Sequence, residues 1–218
     1  MQAIVRHNYG SPDVLKLEEV QKPVPQDNQV LVKVVAASTA AGDWHLLRAD
    51  PFLMRFVYGL LKPKHKILGA DVAGRVDAVG PNVTQFRPGD EVFGDLSLSG
   101  FGAYAEYVAV PDTALALKPK RLTFEQAAAV PVSAVTALQG LRAGNIQAGQ
   151  TVLINGASGG VGTYAVQIAK ALGAEVTAVC STGNVAMARS IGADHVVDYT
   201  REDFSQSGRK YDLILAAN

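Results

Sequence analysis

The sequence is poor in cysteine, with Cys180 the only one among 218 residues. A disulfide framework within the chain and a cysteine-rich zinc cluster are therefore excluded. It also lacks an excess of charge of either sign, since 20 Lys and Arg stand against 20 Asp and Glu. This balance argues against nucleic acid or an anionic membrane surface as the main partner. It is compatible with a local basic pocket or with a phosphate site made of backbone amides.

Targeting signals and long apolar runs are missing as well. The first residues, MQAIVRHNYG, have neither the pattern of a secretory signal nor the Arg- and Ser-rich composition of a transit peptide. No apolar run approaches the ~20 residues that span a bilayer. We therefore expect a soluble, cytoplasmic protein without a membrane or nucleic-acid partner. Hydrophobic residues make up 48% of the chain and charged residues 18%, which predicts a sizeable core and little disorder.

The two halves of the chain have different patterns. The first half contains short segments rich in Val, Ile and Tyr, separated by turns rich in Gly and Pro, which predicts a small β-barrel or a sandwich. Between them, residues 43–58 have apolar residues at roughly helical spacing and predict a short helix or an ordered loop. The predicted strands are residues 3–6, 29–36, 72–79, 91–93, 105–110 and 114–118.

The pattern changes near Thr123, which looks like the start of a helix that continues to Pro131, and a second helical stretch covers residues 134–141. From Gln150 onward strands alternate with helices, which predicts a parallel sheet with crossover helices. We place the domain boundary so that residues 1–122 form one domain and 123–218 the other. The predicted strands are 151–155, 175–181, 195–199 and 211–217, the helices 160–172 and 185–191, with a helical turn at 202–205.

The last predicted strand is apolar and ends the chain. The second domain then holds one mononucleotide-binding half and the first strand of another, whereas a complete doubly wound sheet needs two halves. We therefore expect a truncated chain whose terminal strand exposes an apolar edge.

The most informative segment is a glycine-rich turn between the strand 151–155 and the helix 160–172. Its glycines fall at three-residue intervals, a variant of the dinucleotide-binding spacing. The first permits a tight turn, the middle one lets the backbone approach a pyrophosphate, and the last lets helix and sheet pack closely. Free amides at the helix start would face the phosphate. The alternative is a glycine-rich turn that binds nothing. The turn is Gly156-Ala157-Ser158-Gly159-Gly160-Val161-Gly162.

The end of the second strand bears on the choice of coenzyme. NAD sites usually carry Asp or Glu there, but this strand ends in Cys180-Ser181-Thr182-Gly183-Asn184, without an acid. Hydroxyls and amides can donate hydrogen bonds to a 2′-phosphate, which a carboxylate would repel. The residues favour NADP(H) over NAD(H), although the nearest cation, Arg189, lies most of a helix away. Ser181 and Thr182 could also simply cap a helix.

The order of β-rich half, two-helix bridge and dinucleotide-binding half resembles the medium-chain dehydrogenase/reductase superfamily, and more narrowly its zinc-independent quinone oxidoreductase-like branch. The resemblance implies an α/β fold: an N-terminal GroES-like β-barrel followed by a partial Rossmann doubly wound parallel sheet. The stretches that carry it are Gly69-Ala70-Asp71-Val72-Ala73-Gly74, Phe86-Arg87-Pro88-Gly89-Asp90-Glu91-Val92, Gly102-Ala103-Tyr104-Ala105-Glu106-Tyr107, Ala128-Ala129-Val130-Pro131, Thr136-Ala137-Leu138 and the glycine turn.

The same resemblance implies roles for individual residues. Thr136 should lie near the nicotinamide and residues 156–162 should hold the pyrophosphate. Asp43, Trp44 and His45 should line a cleft between the domains as candidate catalytic residues. For Trp44 core packing is an equal alternative, and for His45 a solvated or capping role is favoured over proton donation. The residues expected to border the adenosine phosphate are Ser181, Thr182, Asn184 and Tyr199.

No metal site is expected. Zinc enzymes of this superfamily place a catalytic Cys where this chain has Ala40-Ala41-Gly42-Asp43, and a His-Glu pair where Ala70-Asp71 stands. Without a Lewis acid, a quinone or enone is easier to reduce than a simple ketone, because its conjugated system spreads the developing charge. We therefore expect an NADPH-dependent oxidoreductase that acts on a small quinone or other conjugated carbonyl, and the resemblance implies a homodimer for the parent protein. The alternatives are a nucleotide-binding interaction protein with vestigial catalysis, or an inactive truncated fragment.

Overall fold

The computed structural model describes residues 1–217, which form eleven strands and six α-helices. Contacts divide them into an amino-terminal unit, Met1–Val132, and a carboxy-terminal unit that begins at Ser133. Helix α3 (Phe124–Ala128) belongs to the first unit, because its Ala127 and Ala128 pack with Ala73 in one apolar cluster. The boundary after residue 122, drawn where the sequence pattern changes, stays a prediction.

The amino-terminal unit is built on a five-stranded antiparallel sheet with the order β6-β3-β4-β5-β7, and β1 pairs separately with β2. Its core consists of inward-facing valines, among them Val30, Val32, Val72, Val92 and Val110. Strand β2 was not predicted, because its sequence LKLEE is short, charged and mostly exposed. The strands are β1 (Gln2–Arg6), β2 (Leu15–Glu19), β3 (Gln29–Ala37), β4 (Asp71–Val79), β5 (Glu91–Asp95), β6 (Tyr107–Pro111) and β7 (Leu115–Leu117).

Residues 43–58, predicted as a short helix or loop, lie in two helices, α1 (Ala41–Arg48) and α2 (Met54–Tyr58). Helix α1 ends because Ala49 takes a left-handed conformation with φ of 53°, and because a residue before proline, here Asp50, is disfavoured in a helix. The predicted helix start at Thr123 is confirmed. Its hydroxyl accepts from the Gln126 amide at 3.2 Å, while the Gln126 side chain accepts from the Thr123 amide at 3.0 Å, a reciprocal cap.

The carboxy-terminal unit contains the predicted parallel sheet, in the order β10-β9-β8-β11. Leu141, Val152, Ile154, Val166 and Val176 form part of its core. The predicted helix 134–141 begins earlier, at Pro131, because proline suits the first turn of a helix. The elements are α4 (Pro131–Ala143), β8 (Thr151–Asn155), α5 (Gly160–Ala171), β9 (Glu175–Cys180), α6 (Val185–Ser190), β10 (His195–Asp198) and β11 (Leu213–Ala216).

None of the helices that residues 1–217 form has the length and apolar character needed to cross a bilayer.

Candidate functional site

The glycine turn joins β8 to α5 and is shaped by two of its glycines. Gly156 has a φ of +82°, a conformation that favours glycine and turns the chain back toward the helix. A methyl group on Gly162 would lie 2.1 Å from the carbonyl oxygen of Gly156 and 2.7 Å from the Cα of Ala157. Helix α5 can therefore approach the turn this closely only with glycine at position 162. Ala157 itself is buried in the core of the unit.

The amides of this turn fall into two groups. Those of Ala157 and Gly159 are bonded within the unit, to the carbonyl oxygens of Val179 and Gly156, both at 3.0 Å. Residues 160–162 form the first turn of α5, where the amides have no carbonyl one turn earlier in the helix to bond. A methyl group on Gly159 would meet its nearest atom, the Gly156 carbonyl oxygen, at 3.5 Å, an ordinary van der Waals contact. Amides at a helix start fit an anionic group such as a pyrophosphate.

Helix α4 begins next to the same turn. A methyl group on Gly160 would lie 2.9 Å from the Ser133 hydroxyl oxygen, so the first turn of α4 borders the start of α5. Thr136 is three residues further along α4 and is exposed, which puts it on the same face of that helix as Ser133. The structure thus places Thr136 close to the glycine turn within one unit.

The residues predicted to border the adenosine phosphate lie together at the ends of β9 and β10. The Asn184 side-chain amide donates to the Ser181 hydroxyl at 3.0 Å. Because that oxygen accepts from Asn184, the proton of Ser181 is available to another acceptor. Thr182 donates its hydroxyl proton to the Asp198 carboxylate at 2.6 Å. Tyr199 follows Asp198 and is exposed.

Asp198 was missed by the sequence reasoning, which looked for an acid only at the end of β9. In the sheet, Asp198 pairs with Cys180, so its carboxylate lies at the same edge as Ser181 and Thr182. Hydrogen bonds from Thr182 and Thr200 hold its pKa below the ordinary value, and the Arg201 Nε atom lies 3.5 Å away. The signal that could have found it is the aspartate that ends the neighbouring strand.

The amino-terminal unit contains a cavity of about 450 Å³. Asp43 and Trp44 contribute to its wall, whereas His45 does not. Most of the remaining lining is apolar, and the exceptions are the hydroxyl-bearing residues Thr39 and Tyr104. The apolar side chains that define it include Ile4, Leu15, Leu47 and Leu68.

Asp43 is buried and ties α1 to a neighbouring loop. One carboxylate oxygen accepts from the Ala40 amide at 3.0 Å and the other from the Gly69 amide at 3.1 Å. These bonds close the first turn of α1. With both oxygens bonded to backbone amides, Asp43 orders the wall of the cavity.

Trp44 and His45 contact each other edge to face, with ring centroids 4.7 Å apart. Trp44 is 41% exposed, and the Arg48 guanidinium lies 4.9 Å from its ring centroid. Nδ1 of His45 lies 2.7 Å from the Asp50 carbonyl oxygen. Trp44 is therefore a cavity wall rather than a core residue, while His45 is bonded to the turn that follows α1.

Tyr104 and Thr39 were not predicted as site residues. The Tyr104 hydroxyl donates to Thr39 Oγ1 at 3.0 Å and lies 3.2 Å from the Ser38 carbonyl oxygen. Burial raises the pKa of Tyr104 to about 12, and the nearby Asp43 and Asp71 add to the effect. The phenol therefore stays protonated at neutral pH and can act as a hydrogen-bond donor inside an apolar cavity.

The four histidines are not gathered at one place. His7 and His195 pair with Glu18 and Glu175, each at 2.9 Å, and the His65 ring packs against Phe101. Over residues 1–217, no group of three or more His, Cys, Asp or Glu side chains is arranged to hold a metal ion.

Asp71 lies buried at the start of β4. By the superfamily resemblance, zinc enzymes have a His-Glu pair where this chain has Ala70-Asp71. Its two oxygens accept from the Ser38 hydroxyl and the Val132 amide, both at 2.8 Å. Burial raises the pKa of this carboxyl above its usual range.

Comparison with known proteins supports the division into two folds. Residues 26–120 match the alcohol dehydrogenase GroES-like domain, and residues 160–212 match the zinc-binding dehydrogenase family. The predicted GroES-like domain followed by a Rossmann-type parallel sheet is thereby confirmed.

Individual relatives point the same way. The chain is 39% identical to 2-methylene-furan-3-one reductase of Solanum lycopersicum, over 98% of its own length and 56% of the relative's. It is also 39% identical to the chloroplastic NADPH-dependent alkenal/one oxidoreductase of Arabidopsis thaliana, over 100% and 57%. The chain thus spans little more than half the length of these two relatives. The solved quinone oxidoreductase from Coxiella burnetii superposes with a TM-score of 0.90 at 34% identity, covering 98% of this chain and 67% of that one.

Proposed function

Since the chain belongs to the medium-chain dehydrogenase/reductase superfamily, in its quinone oxidoreductase-like branch, we propose that it takes part in the NADPH-dependent reduction of quinones or other conjugated carbonyl compounds without zinc. The observation that carries this proposal is the set of amides at residues 160–162, which begin α5 directly after the glycine turn and its N-cap residue Gly159. An anionic coenzyme is the ligand that this arrangement fits.

The carboxy-terminal unit would bind the coenzyme. The amides of residues 160–162 hold the pyrophosphate, and Thr136 on α4 borders the nicotinamide end. Ser181, whose proton is available, donates to the 2′-phosphate. Bound NADPH supplies a hydride from nicotinamide C4. The choice of NADPH over NADH is further supported by the name of the Arabidopsis relative. The negative charge of Asp198 counts against it, because this charge would repel the 2′-phosphate.

The amino-terminal unit would bind the acceptor. Its apolar cavity takes a flat, apolar ring against Trp44 and excludes water from it. Tyr104 and Thr39 are the hydroxyl groups of this wall. Because Tyr104 gives its proton to Thr39 Oγ1, the Thr39 hydroxyl is the one that can donate to a carbonyl oxygen as negative charge develops there. Among the predicted catalytic residues, Asp43 positions α1 and Trp44 contacts the substrate. His45 is kept as a candidate on the grounds of the resemblance alone.

Zinc independence rests on residue chemistry. Ala40 and Ala70 have no side-chain atoms that can bind a metal, and the two Asp71 oxygens are occupied by Ser38 and Val132. A conjugated acceptor reduces the need for a Lewis acid, because it delocalises the developing charge. Homodimer formation and a cytoplasmic location stay predictions, and the chloroplastic Arabidopsis relative does not support the latter.

Steady-state oxidation of NADPH by the chain extended to the length of the relatives it matches, with a panel of quinones, enals and simple ketones, tests the proposal. We expect turnover of conjugated acceptors, little with simple ketones, and no stimulation by added zinc. Turnover of alcohols or ketones that requires zinc would refute it. Tight coenzyme binding by calorimetry without turnover of any acceptor would favour the nucleotide-binding interaction protein, to which the lack of a polar group at Ala40 also points.

A further inference from the structure

The segment after α1 exposes a continuous apolar surface. Met54 and Tyr58 on the inner face of α2 pack into the core of the unit, while the outer face is also apolar. The guanidinium of Arg55 lies over the Tyr9 and Phe52 rings, and a helix with apolar inner and outer faces is normally covered on both. Here the outer side chains face water, and Leu61 is 86% exposed. We call this surface the apolar patch; it consists of Phe52, Leu53, Phe56, Val57, Leu60 and Leu61.

The patch stands on an ordered segment. The Tyr9 hydroxyl lies 2.9 Å from the Tyr58 carbonyl oxygen and 2.8 Å from that of Gly59. The Lys64 amide donates to the same Tyr58 carbonyl at 2.7 Å, across a turn in which Gly59 has a φ of +116°. These bonds return the chain to the end of α2, so the lysines that follow the turn lie beside the patch.

The charge of this segment differs from that of the whole chain. Residues 48–66 contain five Lys and Arg against one acidic residue, Asp50, although the chain as a whole is neutral. Arg48, Lys62, Lys64 and Lys66 are all exposed. A contiguous apolar surface rimmed by cations is the composition of a segment that lies in the interface of an anionic bilayer.

We propose that the apolar patch docks onto an anionic lipid surface. The Phe and Leu side chains enter the boundary between headgroups and acyl chains, and the lysines extend their charged ends to the lipid phosphates. This inference does not depend on the proposed function. It departs from the expectation of no membrane partner, which rested on the net charge and could not register a local excess of cations.

The charge beside the apolar patch favours a lipid surface over a second copy of the chain as its partner. In a symmetric dimer the same patch lies on both sides of the interface, so the four exposed cations at the rim of one copy would face the identical rim on the other. Like charges in that arrangement repel each other. An anionic surface instead neutralises them.

Flotation with vesicles tests the proposal, using the chain extended to the length of the relatives it matches so that the patch is tested in the presence of the rest of the protein. We expect binding to vesicles of phosphatidylcholine with about 30% phosphatidylglycerol, weakened by salt, and little binding to phosphatidylcholine alone. Leu53→Asp should lower the partition coefficient at least about tenfold, because it puts a charge into the acyl boundary. The matched control is Leu17→Asp, since both leucines are 71% exposed, and this variant should bind like the parent chain.

Reversing the charge of a lysine beside the apolar patch gives a second test. Lys62→Glu should lower binding to anionic vesicles about fivefold or more, whereas Lys120→Glu, an exposed lysine outside the segment, should have a small effect. Equal losses in Leu53→Asp and Leu17→Asp, or no flotation of the parent chain with anionic vesicles, would overturn the proposal. So would a concentration-dependent dimer that Leu53→Asp abolishes in the absence of lipid. Unchanged thermal unfolding midpoints show that the variants are folded.

Discussion

The middle and last glycines of the turn, Gly159 and Gly162, should respond differently to the same added methyl group. In Gly162→Ala the methyl meets backbone atoms at 2.1 and 2.7 Å, and backbone cannot rotate away as a side chain can. Overpacking costs about 1–3 kcal/mol, and the better helix propensity of alanine returns about 1 kcal/mol. Because the obstacle is backbone, we expect overpacking at the upper end of that range. The net loss in the free energy of unfolding is then about 2 kcal/mol, which lowers the Tm of a unit of this size by roughly 10 °C.

Gly159→Ala should instead leave the fold almost intact. Its methyl meets nothing closer than 3.5 Å, and its φ of −77° suits alanine. The methyl fills the space through which a pyrophosphate would reach the amides of residues 160–162, so the Kd for NADPH should rise at least about tenfold. Circular dichroism melts and calorimetric titration measure the two effects. Gly42→Ala in the amino-terminal unit, with no atom within 4 Å of the added methyl, is the control.

This reasoning fails if Gly162→Ala melts with the parent chain, because the contact at 2.1 Å would then be relieved at no cost. It also fails if Gly159→Ala binds NADPH as well as Gly42→Ala does. In that case the space beside Gly159 is not where the coenzyme approaches the backbone, and the glycine turn has a structural role alone.

Three further outcomes follow from the hydrogen bonds of the two units. Tyr104→Phe should lower kcat/KM for quinones about tenfold with little change in the Kd for NADPH, since it removes the bond that orients the Thr39 hydroxyl and a hydrogen bond to developing charge contributes about 1.5–3 kcal/mol; an unchanged kcat/KM would show that Tyr104 does not position Thr39. Asp198→Asn should favour NADPH over NADH by roughly threefold or more in calorimetric Kd ratios, because it removes a charge near the 2′-phosphate; a shift toward NADH would contradict this. Burial raises the pKa of Asp71, so its ionisation costs stability as the pH rises through that value. The Tm of Asp71→Asn relative to the parent should therefore be higher at pH 7.5 than at pH 4.5, and a reversed order would exclude an ionised, desolvated Asp71.

The parts of the fold that could be predicted are those encoded by neighbouring residues. The glycine turn needs only a strand, a turn and a helix in succession, and the start of α3 needs only Thr123 and Gln126 three residues apart. Each is decided by contacts within one or two helical turns. The prediction therefore depends little on how the rest of the chain folds.

The cavity could not be predicted in the same way. Tyr104 and Thr39 are 65 residues apart in the sequence and are brought together only when the loop before β6 reaches the chain that enters α1. The break between α1 and α2 within residues 43–58 could be predicted in part. Pro51 indicates it in the sequence, whereas the left-handed conformation of Ala49 has no sequence signal. Side chains that meet through tertiary packing have no fixed spacing, so no sequence pattern could have selected Tyr104.

Asp198 shows how strand register decides the chemistry at the coenzyme end. The rule that an NAD site has an acid after its second strand concerns the end of one strand. In this chain the site is formed by the ends of two parallel strands, β9 and β10. The register pairs Asp198 with Cys180, and a slip of one residue would turn the carboxylate to the other face of the sheet. Since Thr182 gives its proton to Asp198, it can accept but not donate at that hydroxyl. Ser181 is then the residue that has to distinguish a phosphate from a hydroxyl, and Ser181→Ala should reduce the preference for NADPH more than Thr182→Val does.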